Sequence, residues 1–98
     1  MKQADIVALV GLNVRLRRLE RGLTQEEAAF EADIAFNYLS GIERGKSNPS
    51  VKVLFRIARV LRVPIAELFA SLPPGYMPPK NLPRGRGAKA RKPKARKR

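Results

Sequence analysis

Proline sets the limit on what this chain can fold. Leu72-Pro73-Pro74-Gly75-Tyr76-Met77-Pro78-Pro79 places four prolines and a glycine within eight residues. Such a run holds neither a helix nor a central strand, because proline has no amide to donate and restricts the residue before it. It reads as an extended linker. Beyond it, residues 80–98 contain ten of the 21 lysines and arginines, no acid, no aromatic and a single leucine. A segment so charged and so poor in apolar groups cannot bury enough surface to offset its ordering entropy. The expected organisation is therefore a folding region of residues 1–71, a Pro-rich linker of residues 72–79 and a disordered Lys/Arg-rich tail of residues 80–98.

The folding region keeps eleven bases against eight acids, so only +3 of the total charge of +13 resides there. The rest belongs to a polycation, which binds polyanions such as nucleic acid or an acidic membrane surface. There is no cysteine and no histidine. Disulfides, thiol nucleophiles, Cys/His metal sites and imidazole acid–base chemistry are thereby excluded, and neither an enzyme nor a metal or cofactor is expected. The apolar run from Ile6 to Leu12 leads directly into Val14-Arg15-Leu16-Arg17-Arg18 without a small-residue cleavage pattern, so it reads as a helix face and not as a secretory leader. Nothing approaches the roughly 20 apolar residues of a membrane span. A soluble, cytoplasmic protein without a membrane partner is expected.

The local signals of residues 1–71 spell five helices. The first should run from Asp5 to Arg21, with Gly22 at the position of a left-handed stop. Thr24 and Glu27 have the spacing of a capping box, so a second helix opens there and runs to Ala32, where Asp33 tolerates a left-handed backbone. After a tight turn, Ala35 to Glu43 forms a third helix with Leu39 and Ile42 turned inward, ended by Gly45. Ser50 can cap a fourth, whose inward positions Leu54, Ile57, Ala58 and Leu61 follow the i, i+3, i+4, i+7 spacing. Pro64 suits the first turn of a short fifth helix ending near Ala70.

Two short helices joined by a four-residue turn, the second polar on one side, have the layout of a DNA-reading helix-turn-helix. The strings Gly22-Leu23-Thr24-Gln25-Glu26-Glu27-Ala28-Ala29 and Tyr38-Leu39-Ser40-Gly41-Ile42-Glu43-Arg44-Gly45-Lys46-Ser47-Asn48-Pro49-Ser50 make the pattern specific. They resemble the Xre/Cro-like helix-turn-helix family, to which phage repressors, restriction controller proteins and many small bacterial regulators belong. The resemblance covers Val10 to Phe69 and implies an all-α, five-helix lambda-repressor-like domain.

It also implies roles for individual residues. Gln25 matches a position that touches the DNA backbone and buttresses the reading helix. Phe36, Asn37, Ser40 and Gly41 match groove-facing positions, with Tyr38 at the edge. Arg44, Lys46 and Asn48 match the loop that meets phosphates, and Arg18 and Glu43 match a structural pair joining the first helix to the end of the reading helix. Side-chain chemistry agrees in part: asparagine can bond adenine N6 and N7 together, and an aromatic edge can lie against a thymine methyl. Phe36 is equally suited to packing against a neighbouring helix, and Tyr38 to a mixture of packing and phosphate contact. A glycine in mid-helix costs roughly 0.5–1 kcal/mol relative to alanine, so Gly41 suggests a bare surface closely approached by DNA.

Three departures from the family pattern stand out. Ala35 replaces the usual Ser or Thr cap of the reading helix, Arg62 replaces the glycine after the fourth helix, and Leu16-Arg17 stands where the family places leucine at position 17. Leu9, Leu12, Leu16 and Leu19 then form an apolar stripe apart from the Ile6, Val10 and Val14 face. The stripe is either a dimer contact or the sign of a shifted register.

The leading functional expectation is a sequence-specific transcriptional regulator. It would bind double-stranded DNA as a homodimer, through the fifth helix (Leu68, Phe69) or the stripe, because one short helix reads too few base pairs alone. Two alternatives are an architectural protein of the bacterial nucleoid and an antitoxin or other module with a second protein partner. In the tail, Pro83-Arg84-Gly85-Arg86 resembles the core of an AT-hook, with Arg84 and Arg86 as its minor-groove residues. Gly87 stands where such hooks usually continue with proline, so a plain polyelectrolyte is the competing reading.

Overall fold

The computed structural model describes residues 2–73 and 75–76. Half of the linker and the whole tail, including Arg84 and Arg86, lie outside the described residues. Helix α1 spans Gln3–Glu20, α2 Gln25–Ala32, α3 Phe36–Glu43 and α4 Val51–Leu61, followed by a 3-10 helix over Ile65–Phe69. The described residues contain no strand, and the fold is the all-α helix-turn-helix arrangement expected. Two details differ. The fifth element is a 3-10 helix and not an α-helix. The first helix begins two residues before Asp5, whose carboxylate reaches back to the Lys2 amide at 3.2 Å and so acts inside the first turn.

The remaining ends follow local chemistry. Gly22 adopts φ +72° and closes α1. The α2 capping box is complete, with the Glu27 amide on Thr24 Oγ1 at 3.1 Å and the Thr24 amide on Glu27 Oε1 at 2.9 Å. Asp33 ends α2 in the left-handed region, and Ser50 Oγ accepts from the Val53 amide at 3.1 Å to start α4. Ala35 gives α3 no side-chain cap, and Arg62 is held left-handed at φ +60° in the position that favours glycine.

One core joins all five elements. Val10 and Val14 of α1, Leu23, Ala28, Ala29 and Ala32 around α2, Leu39 and Ile42 of α3, the inner face of α4 and Leu68 of the 3-10 helix are all buried together. Helix α1 packs on α3, α4 and the 3-10 helix, while α2 packs on α3 and α4. Gly11 sits where α1 meets the end of α3. A Cβ there would run into the Ile42 carbonyl oxygen and come within 2.9 Å of that of Glu43, so the crossing requires glycine.

The same contacts explain the Leu16-Arg17 departure. Val10, Val14 and Arg18 form the buried stripe of α1, which rules out a register shift. Arg17 instead turns to the 3-10 helix, where Nη2 meets Glu67 Oε1 at 2.6 Å, with Glu20 at 3.3 Å on its other side. An ion pair thus stands where the family places leucine. Beside it the buried Asn13 donates from Nδ2 to the Ala70 carbonyl at 2.9 Å, fastening the end of the 3-10 helix to α1. Leu9, Leu12, Leu16 and Leu19 run alongside, each half-buried. Leu68, expected as a dimer residue, is fully buried in its own core. Phe69 remains exposed.

Candidate nucleic-acid interface

Helix α3 is short and amphipathic, and its two sides do different work. Leu39, Ile42 and Glu43 are buried, whereas Phe36, Asn37 and Arg44 are exposed and Ser40 is half-buried among them. Positions 36, 37, 40 and 44 follow helical spacing and share one face. Arg44 Nε donates to Ser40 Oγ at 3.4 Å, which keeps the cation along that face. Tyr38 is half-buried and packs against the core, at the margin of the exposed side.

The buried side of α3 is held by charge. Arg18 presents Nε to Glu43 Oε2 at 2.7 Å and Nη2 to Oε1 at 2.9 Å, a two-pronged ion pair between fully buried side chains. Its Nη1 also donates to the Leu23 carbonyl at 2.8 Å. Gln25 Nε2 adds a bond to Glu43 Oε1 at 3.0 Å. Three elements converge on one carboxylate: α1, the first turn of α2 and the end of α3. Two parallel N–H···O bonds fix orientation as well as distance, so the exposed face of α3 is set at a defined angle to the start of α2.

Gly41 corrects the sequence reading. It is buried, and a Cβ at this position would collide with Ser47 Oγ. The Gly41 carbonyl also accepts from the Lys46 amide at 2.8 Å and the Ser47 amide at 3.2 Å. These bonds fold the following loop back over Gly41, and no bare surface remains for a ligand to approach. This closure lifts Lys46 and Asn48, both exposed, beside the C-terminal end of α3.

Asn37, Ser40, Arg44, Lys46 and Asn48 therefore lie on α3 and the loop folded against it, with Phe36 38% exposed at the start of the same face. The chemistry offered suits a polyanion with readable edges: amide and hydroxyl groups in the middle, cations at the end. Among the described residues no group of His, Cys, Asp or Glu is arranged to hold a metal ion, and no helix is long and apolar enough to cross a membrane. Asn13, Gly11 and Ser47 carry no local sequence signal, because each acts through a partner distant in the chain or beyond the helix end.

Comparison with known proteins gives a consistent picture. A family model described as helix-turn-helix matches residues 14–68. The HTH-type transcriptional regulator y4dJ of Sinorhizobium fredii is 44% identical over 64 residues, covering 65% of this chain and 83% of that protein. The HTH-type transcriptional regulator SlrR of Bacillus subtilis is 39% identical over 62 residues, covering 62% of this chain. This chain spans 41% of SlrR. Among solved structures, the restriction-modification controller protein C.AhdI of Aeromonas hydrophila superposes with a TM-score of 0.63 at 33% identity, covering 64% of this chain and 96% of that one.

Proposed function

This chain belongs to the Xre/Cro-like helix-turn-helix family of DNA-binding transcriptional regulators, and from that premise we propose that it reads a roughly palindromic operator as a homodimer. The observation that carries the reading is the two-sided build of α3. Arg18, Glu43 and Gln25 lock its inner side, while Phe36, Asn37, Ser40 and Arg44 share its outer face. In this reading Asn37 pairs with an adenine edge and Phe36 lies against a thymine methyl. Arg44, Lys46 and Asn48 contact phosphates, and Gln25 meets the backbone from the start of α2. Gly41 serves through its carbonyl, which holds the phosphate-binding loop by the Lys46 and Ser47 amides.

Dimerisation places two reading helices in successive major grooves on one face of the duplex. Phe69, 43% exposed, borders a mostly apolar depression lined by Ile6, Val7, Val10, Val51 and Leu54, together with Asn48 and Pro49 of the loop, which suits a reciprocal contact about a twofold axis. The tail, with its ten cations, contributes affinity by releasing counterions from the duplex. Its Arg84 and Arg86 follow the minor groove if the AT-hook resemblance holds in function.

Selection from random duplex DNA at moderate salt tests the proposal. The expected product is an enriched motif of two inverted half-sites centred about 10 base pairs apart, one helical turn. An unenriched pool would show that the domain adds no sequence preference and would leave an architectural role.

A further inference from the structure

The outer face of α4 is not used by the reading above. Lys52, Phe55, Arg56 and Arg59 fall at i, i+3, i+4 and i+7, opposite the buried Leu54, Ile57, Ala58 and Leu61. All four are exposed, and Arg62 continues the row past the helix end. The helix sequence contains no acid. Among the described residues, no ion pair uses Lys52, Arg56, Arg59 or Arg62. Phe55 is 52% exposed, and the Arg59 guanidinium lies over its ring, 5.8 Å from the centroid. Arg56 Nη2 donates to the Asp33 main-chain carbonyl at 3.4 Å, so the face combines cations that have no ion pair among the described residues with a large apolar ring, and the cation–π contact holds Arg59 in place before any partner arrives.

We propose that this face docks an acidic, amphipathic protein segment, with its carboxylates on Lys52, Arg56 and Arg59 and an apolar side chain on Phe55. Charge selects the occupant. The tail of the same chain, ten cations without an acid, is repelled, as is a second copy presenting the same face. Four of the chain's eight acids are already engaged: Glu27 and Glu43 are buried, and Glu20 and Glu67 pair with Arg17. A duplex backbone satisfies the cations but gives Phe55 no apolar partner, whereas an amphipathic acidic helix satisfies both. Arginine and aromatic side chains are the usual anchors of such interfaces. In a DNA-bound dimer the site would recruit a second protein without competing for the face of α3.

The test uses the full chain and a fluorescent synthetic peptide in which Glu and Leu alternate at helical spacing, followed by anisotropy at physiological salt. Phe55→Ala and Arg59→Gln are each expected to weaken peptide binding by at least about tenfold, as for loss of an interface anchor. Operator affinity and the far-ultraviolet helix signal should stay unchanged. A peptide of Glu and Ser at the same charge should bind far more weakly. Equal binding of the two peptides, or of wild type and both variants, would mean that tail charge alone holds the peptide and would overturn the proposal. So would a Phe55-dependent interaction with single-stranded oligothymidine in the absence of peptide binding, since the site would then belong to unpaired bases. Operator binding is read separately, so failure here is distinct from failure of the DNA-reading proposal.

Discussion

Replacing Glu43 with alanine removes one carboxylate and takes apart the joint between three helices. Oε1 accepts from Arg18 Nη2 at 2.9 Å and Gln25 Nε2 at 3.0 Å, and Oε2 accepts from Arg18 Nε at 2.7 Å. The Arg18 side chain is 0% exposed, so its charge cannot recover hydration without opening the core. Breaking a buried pair by deleting one partner costs about 3–5 kcal/mol, mostly the burden of the charge left behind. A domain of about 70 residues has on the order of 4–10 kcal/mol in all, so the variant should stand at or near the edge of unfolding. With roughly 4–8 °C of melting temperature per kcal/mol at this size, a fall of at least about 12 °C is expected. Urea and thermal unfolding monitored by circular dichroism measure it, with the exposed Glu31→Ala as reference. Removing the charge as well, in the double variant Arg18→Met with Glu43→Leu, should recover most of the loss, because well-packed apolar side chains can substitute for a buried pair at little cost. If Glu43→Ala melts within the range of Glu31→Ala, the pair carries no structural weight and α3 is not positioned as described.

Three other substitutions probe the backbone. Gly11→Ala should destabilise the fold by at least about 2 kcal/mol, since its methyl would meet main-chain carbonyls that cannot turn aside; unfolding in urea reads the change. Ala35→Ser supplies the missing hydroxyl cap of α3 and should add about 1 kcal/mol by the same assay. Arg62→Gly relieves a left-handed strain of about 1–2 kcal/mol and gives back roughly 0.5–1 in chain entropy, so a net gain is expected. Its melting temperature should rise by a few degrees, and a fall would show that Arg62 makes a compensating contact.

The helix ends were legible because each depends on chemistry within four residues. The Thr24 and Glu27 capping box, the left-handed Asp33, the Gly22 stop and the Ser50 cap all appear where short-range spacing places them. Contacts across the chain were less accessible. Leu16-Arg17 looked like a register problem because its solution, Glu67, lies 50 residues away. Gly41 looked like a bare surface because nothing in α3 itself reveals that Ser47 folds back over it. The need for glycine at position 11 follows only from the crossing of α1 with the end of α3, and Asn13, which can donate to the Leu9 carbonyl within its own helix, gains the Ala70 carbonyl only from the packed 3-10 helix. On the exposed side of α3 the sequence was informative for the opposite reason: Phe36, Asn37 and Arg44 are exposed, so helical periodicity alone fixes where they stand.

The division of labour between α3 and the loop after it is open to direct measurement on the selected operator and on a scrambled duplex of the same length. Asn37→Ala should lose about 1–3 kcal/mol on the operator and almost nothing on the scrambled duplex, because a base contact carries discrimination. Lys46→Ala should weaken both to a similar extent and lower the salt slope by about one unit, because a phosphate contact does not discriminate. Equal losses on both duplexes for Asn37→Ala would contradict the central claim and remove α3 as the reading helix.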